Sequence, residues 1–80
     1  MKHYVIVNEW ACNCENASSV IGVVHSMEEA TKIFNEFVVK ERLLADERGY
    51  KIYNDTEDIF DAGEDGSYFD SHTKTYIQSV

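Results

Sequence analysis

The sequence predicts an α+β fold: a largely antiparallel sheet of about four to five strands with one long helix packed on one face, in the order β-β-α-β-β-β. Three observations predict it. A run of apolar residues at helical spacing lies between Ser26 and Gly49, residue types that start and stop helices. Short stretches rich in β-branched and aromatic residues lie on both sides of it. The breaks between the first two of these stretches are too short for a parallel crossover, so those strands pair antiparallel.

Residues 2–10 hold Tyr4, Val5, Ile6, Val7 and Trp10 and read as the first strand. Residues 11–18, Ala-Cys-Asn-Cys-Glu-Asn-Ala-Ser, are small and polar and read as a loop. Residues 19–25, with Val20, Ile21, Val23 and Val24, complete a hairpin. Both strands carry apolar side chains on both faces, which marks them as central or as covered on the second face.

The helix carries the strongest local signals. Ser26 followed by Glu29 fits a capping box, and Glu28 and Glu29 suit the positive end of the helix dipole. Met27, Ala30, Ile33, Phe34, Phe37, Val38, Leu44 and Ala45 fall on one face. Of these, Ile33, Phe34 and Phe37 are expected to be nearly fully buried. Arg48 suits the negative end, and Gly49 the left-handed stop. Glu41 interrupts the apolar stripe. Its expected place is peripheral, stem packed and head in water; the alternative is a buried carboxylate with raised pKa. Val39 and Leu43 lie on the opposite side, as scattered surface residues or as a protein contact.

Tyr50 to Tyr53 reads as a third strand, Asn54 to Asp58 as a turn, Ile59 to Ala62 as a short strand and Gly63 to Gly66 as a turn. Ser67 to Ser71 and Lys74 to Ser79 are the last strand candidates. Phe60, Tyr68 and Phe69 are all assigned to the small core. One helix leaves the second sheet face without a cover, and a homodimer through a sheet face or a strand edge would resolve this.

Eighty residues make one domain, 1–80, of modest stability, because a chain this short buries only roughly 60% of its unfolded surface. The 44% hydrophobic content excludes a wholly disordered chain. The first apolar run is too short for a signal-peptide core, and no run approaches a membrane span, so the expected location is cytoplasmic, with no membrane partner. Cys12 and Cys14 are expected as reduced thiols on the hairpin loop, since a Cys-x-Cys bridge closes a very small, strained ring.

Seven of the eight net negative charges come from one segment. From Asn54 to Thr73 there are seven carboxylates and no Lys or Arg. This run is expected to form an exposed anionic surface. Asp55, Glu57, Asp58, Asp61, Glu64 and Asp65 are its candidate partner-binding residues. Without a basic stripe, direct nucleic-acid binding is not expected. The acids could instead imitate nucleic acid: alternate carboxylates on a strand lie roughly 6.6–6.8 Å apart, near the phosphate spacing of one strand. The plainer account is solubility.

No catalytic residue emerges, and the chain is expected not to be an enzyme or to need a cofactor. Cys12 and Cys14 are the only metal-like spacing, and a structural site would need His3, His25 or His72, or a partner's cysteines, to complete it. Ser71 and His72 are neighbours that a strand points to opposite faces, so they cannot act as nucleophile and base. Asp61 to Ser67 loosely follows a calcium loop, but Gly63 and His72 occupy ligand positions.

Tyr4-Val-Ile-Val-Asn-Glu-Trp10, Ser26-Met-Glu-Glu-Ala30 and His72-Thr-Lys-Thr-Tyr-Ile77 together resemble small acidic proteins of unassigned role. Such proteins are carried by phages and mobile elements of Gram-positive gut bacteria. The resemblance implies an accessory protein and brings no catalytic or binding residues with it. It keeps the acidic mimic in view, because such elements encode inhibitors of host nucleases. The reading reached from the sequence is a small cytosolic, non-enzymatic protein that binds another protein or itself. The alternatives are an acidic nucleic-acid mimic that inhibits a host protein, and a Cys-x-Cys metal- or redox-responsive protein.

Overall fold

Five strands and one helix follow the chain as β1 (Tyr4–Cys12), β2 (Glu15–Val24), α1 (Met27–Arg48), β3 (Lys51–Asp55), β4 (Ile59–Gly63) and β5 (Ser71–Ser79). The structure is a computed structural model that describes residues 2–13 and 15–80. The strands form one antiparallel sheet in the spatial order β2-β1-β5-β4-β3, with α1 packed on one face. The α+β reading and its element order hold. The helix connects the two edge strands, so β2 and β3, consecutive around it, end up at opposite sides of the sheet.

The first hairpin is tighter than residues 11–18 suggest. Cys12 pairs with Glu15 across a two-residue connection, and Asn13 takes the left-handed conformation with φ 48. Asn tolerates that region better than other side chains, which suits a primed hairpin turn. The small polar residues Asn16 to Ser19 therefore belong to strand β2. They are exposed there because β2 is an edge, where burial does not demand apolar side chains. Between Ile6 and Val7 the register shifts, leaving Ile21 as the extra residue of a bulge. The last segment differs too. Ser67 to Asp70 is a turn, closed by Asp70 N–H donating to the Ser67 carbonyl at 3.0 Å, and β5 runs unbroken through His72 and Thr73.

Both helix ends follow the local signals. The Ser26 hydroxyl accepts from the Glu29 N–H at 3.2 Å. At the other end Gly49 has φ 67, its N–H donates to the Asp46 carbonyl at 3.2 Å, and the Tyr50 N–H donates to Ala45 at 2.8 Å. That pair of bonds is a Schellman stop, which needs a residue free to adopt positive φ.

Ala30, Phe34, Val38 and Ala45 form the buried stripe of α1. Phe34, Val38 and Ala45 pack on Phe60 and Ala62, with Tyr50 and Ile77 at the margin. Of the three helix residues expected at the centre, Phe34 is there, at 1% exposure, while Ile33 and Phe37 are only half-buried. Phe37 sits three residues from Phe34 and falls on the flank of a stripe that a single sheet face can cover. Strand alternation assigns the rest. Ile6, Asn8, Phe60, Ala62, Thr73 and Thr75 face the helix; Val5, Val7, Glu9, Asp61, His72, Lys74 and Tyr76 face the other way. No helix is long and apolar enough to cross a membrane among the described residues.

Candidate functional site

The acidic run does not form one surface. Asp55 forms a bidentate ion pair with Arg42 of α1, at 2.5 and 2.6 Å. That hydrogen bonding raises the Arg42 pKa, and the same guanidinium lies 5.1 Å from the centre of the Phe60 ring. The base missing from the run in sequence is thus supplied from the helix. Asp61 is buried, contrary to its expected exposure: its carboxylate accepts from Asn54 Nδ2 at 3.2 Å and from the Tyr68 hydroxyl at 2.6 Å. It sits in β4 beside β5, where a carboxylate is retained only with such partners.

The remaining acids divide. Glu57 and Asp58 lie in the turn before β4, and Glu64, Asp65 and Asp70 in the connection after it. Strand rise separates the two ends of β4 by about 14 Å, beyond a Debye length of about 8 Å at physiological salt. Asp61 and Gly63 being strand residues also removes the start of the calcium-like pattern from any loop.

Beneath the helix lies a polar network the sequence reading missed. Glu41 accepts from the Thr73 hydroxyl at 2.7 Å, so its head is engaged instead of free in water. Asn8 Nδ2 donates to Thr73 Oγ1 at 3.2 Å and to Thr75 Oγ1 at 3.0 Å. Asn8, Thr73 and Thr75 are all buried, and no buried side-chain polar atom among the described residues lacks a partner. The available signal was positional: three polar residues at helix-facing strand positions, opposite the one acid in the apolar stripe.

This network borders a cleft of about 490 Å³ between the C-terminal half of α1 and the ends of β1 and β5. Trp10, Cys12, Glu41 and Arg48 line it. Two of its charged groups are already engaged, Glu41 by the Thr73 hydroxyl and Arg48 by the Tyr50 hydroxyl at 3.1 Å. Tyr50 in turn shares a 2.5 Å hydrogen bond with Ser71. The arrangement holds the helix end to the sheet.

Cys12 is a free, half-buried thiol at the end of β1 and not on a loop. Cys14 lies outside the described residues, so the Cys12 and Cys14 pair as a unit does too. Among the described residues, no three His, Cys, Asp or Glu side chains converge as a metal site requires. Ser71 and His72 diverge as expected. Ser71 bonds Tyr50, while the His72 ring pairs through Nδ1 with the Tyr68 carbonyl at 2.9 Å and stacks on the Tyr68 ring at 4.4 Å.

The sheet face away from α1 carries the most distinctive surface. No helix or strand among the described residues covers it. Tyr68 folds back over it against Gly63 and packs edge-on with Tyr53 at 5.2 Å and Phe69 at 5.5 Å. Phe69 is 88% exposed, so it is not a core residue as expected. It overhangs a groove of about 350 Å³ lined by Glu9, Ala11, Asn16, Ser18 and His72. Val20 and Val23 are exposed on the same face, beside half-buried Tyr76, whose hydroxyl pKa is raised by its partial burial and further by the neighbouring Glu9 carboxylate.

No family model, no curated protein and no solved structure matches the chain.

Proposed function

We propose that the chain is a small, non-enzymatic binding protein that engages a partner protein through the sheet face opposite α1. One observation carries the reading: Phe69, 88% exposed, stands at the end of a row of packed rings, Tyr53–Tyr68–Phe69, on a face that no helix or strand among the described residues covers. Aromatic side chains held rigidly beside a groove are the residues that dominate binding energy at protein interfaces. The resemblance to phage and mobile-element proteins fits an accessory role of this kind. The acidic-mimic alternative is less well supported, because the exposed acids split into two small groups and Asp55 is already paired.

The test begins with affinity capture from a Gram-positive host and purification of the captured protein. Its binding to the wild type, to Phe69→Ser and to Leu43→Ser is then measured at low and high salt. The reading expects Phe69→Ser to weaken binding at least tenfold, about 1.4 kcal/mol. Leu43→Ser, on the far side of the helix, should bind normally, and salt should have little effect. Steep loss with salt and indifference to Phe69 would favour the mimic.

A further inference from the structure

We propose that β2 pairs edge to edge and antiparallel with β2 of a second copy of this chain, joining two sheets into one. The inference concerns the backbone edge of β2 and not the ring of Phe69, so either reading can fail without the other.

The two edges of the sheet are built differently. β3 is five residues long, carries Lys51 and Asp55 at its ends, and is interrupted by a register shift between Ile52 and Asn54. Short length, charge and irregularity are the devices that keep an edge strand from pairing. β2 is ten residues long, and from Asn16 to Val24 it contains no charged residue and no proline. Its one irregularity is the bulge at Ile21. Asn16 to Ser19 project only small side chains, all exposed, so another backbone can approach closely. Val20 and Val23, 61% and 56% exposed, stand beside the same edge. An edge with free backbone donors and acceptors is satisfied by another extended strand.

The charge map selects the occupant. At a net charge of −8, two copies repel in most orientations. β2 lies at the edge opposite β3 and the β3–β4 turn, four strand spacings or about 19 Å away. Joining β2 to β2 points those acidic edges away from each other. The antiparallel sense also sends the two Glu15 residues to opposite ends, whereas a parallel pairing would align them. A charged foreign strand would find nothing on Asn16 to Val24 to match it. The two-fold axis of such a pair runs perpendicular to the sheet, so both Phe69 faces look the same way.

Sedimentation analysis of the full chain from micromolar to millimolar concentration tests this. The wild-type mass should rise from 9.2 kDa towards twice that value. When β2 pairs along its whole length, Ser19 at its middle lies beside its own copy, so Ser19→Lys brings like charges together and should stay at 9.2 kDa. Ile52→Lys, on the other edge, and Phe69→Ser, on the sheet face, should behave as the wild type. A wild type that stays monomeric, a dimer that survives Ser19→Lys, or a dimer lost in Phe69→Ser or Ile52→Lys would each overturn the proposal. Hydrogen exchange on the wild type decides the matter even if Ser19→Lys fails to fold. Amides of Glu15 to Val24 should exchange on the order of tenfold more slowly at high concentration. Concentration-independent exchange there would refute the pairing.

Discussion

The Tyr68 hydroxyl donates a 2.6 Å hydrogen bond to the Asp61 carboxylate, which is only 7% exposed. The bond ties the connection after β4 back onto the bare side of the sheet. It also turns one acid of the anionic run into a structural group and fixes the ring against which Phe69 packs. The site's geometry therefore depends on a contact between two residues of the acidic segment itself.

Tyr68→Phe should destabilise the chain by about 1–3 kcal/mol, because Asp61 loses its shorter hydrogen bond while staying buried. Urea denaturation at neutral pH is the measurement. A change below the error of the fit would mean that Asp61 finds water or another donor in solution.

Burial raises the Tyr68 pKa, and the hydrogen bond to Asp61 raises it further. An unfolded tyrosine ionises near pH 10, so above about that pH the unfolded chain releases this proton while the folded chain keeps it. Stability from this group is complete below pH ~10 and falls as pH rises towards the folded pKa. Tyrosinate absorbance should show Tyr68 and Tyr76 titrating late, and Tyr68→Phe should remove one of the late steps.

Phe34→Ala should cost about 3–5 kcal/mol, and Phe37→Ala roughly half of that, since only Phe34 is fully enclosed by the sheet. Thermal melts of the two variants side by side give the comparison. Equal losses would mean that α1 is rotated from the position described.

Gly63→Ala should destabilise by about 1–3 kcal/mol through overpacking. A Cβ there would lie 2.7 Å from Tyr68 Cδ2 and 2.9 Å from both the Ser71 carbonyl oxygen and His72 Cβ. The tyrosine can swing away but the backbone oxygen cannot. Phe69 should become more mobile in the same variant, readable in the NMR linewidths of its ring.

Features set by neighbouring residues were legible in the sequence. The cap at Ser26 and the stop at Gly49 are each decided within a turn of the helix, and both lie where the residue types place them. The α+β order followed from strand and helix periods of the same local kind. Where the outcome depends on distant partners, the sequence was silent. Residues 16–19 are strand because β1 pairs with them, not because they favour strands. Asp55 is neutralised by Arg42, 13 positions earlier in the chain, and Asn8 is satisfied by threonines more than sixty positions later. Phe69 was assigned to the core by composition alone. Only the turn at Ser67 to Asp70 shows that it points outward.

The most direct test of the proposed binding face is hydroxyl-radical footprinting of the chain, free and bound to its captured partner. Aromatic rings report well, and the two sides of the sheet carry different sets. Phe69, Tyr53 and Tyr76 should lose reactivity on binding, while Met27, Val39 and Leu43 on the helix keep theirs. Protection of the helix residues with Phe69 and the tyrosines unchanged would contradict the proposed face.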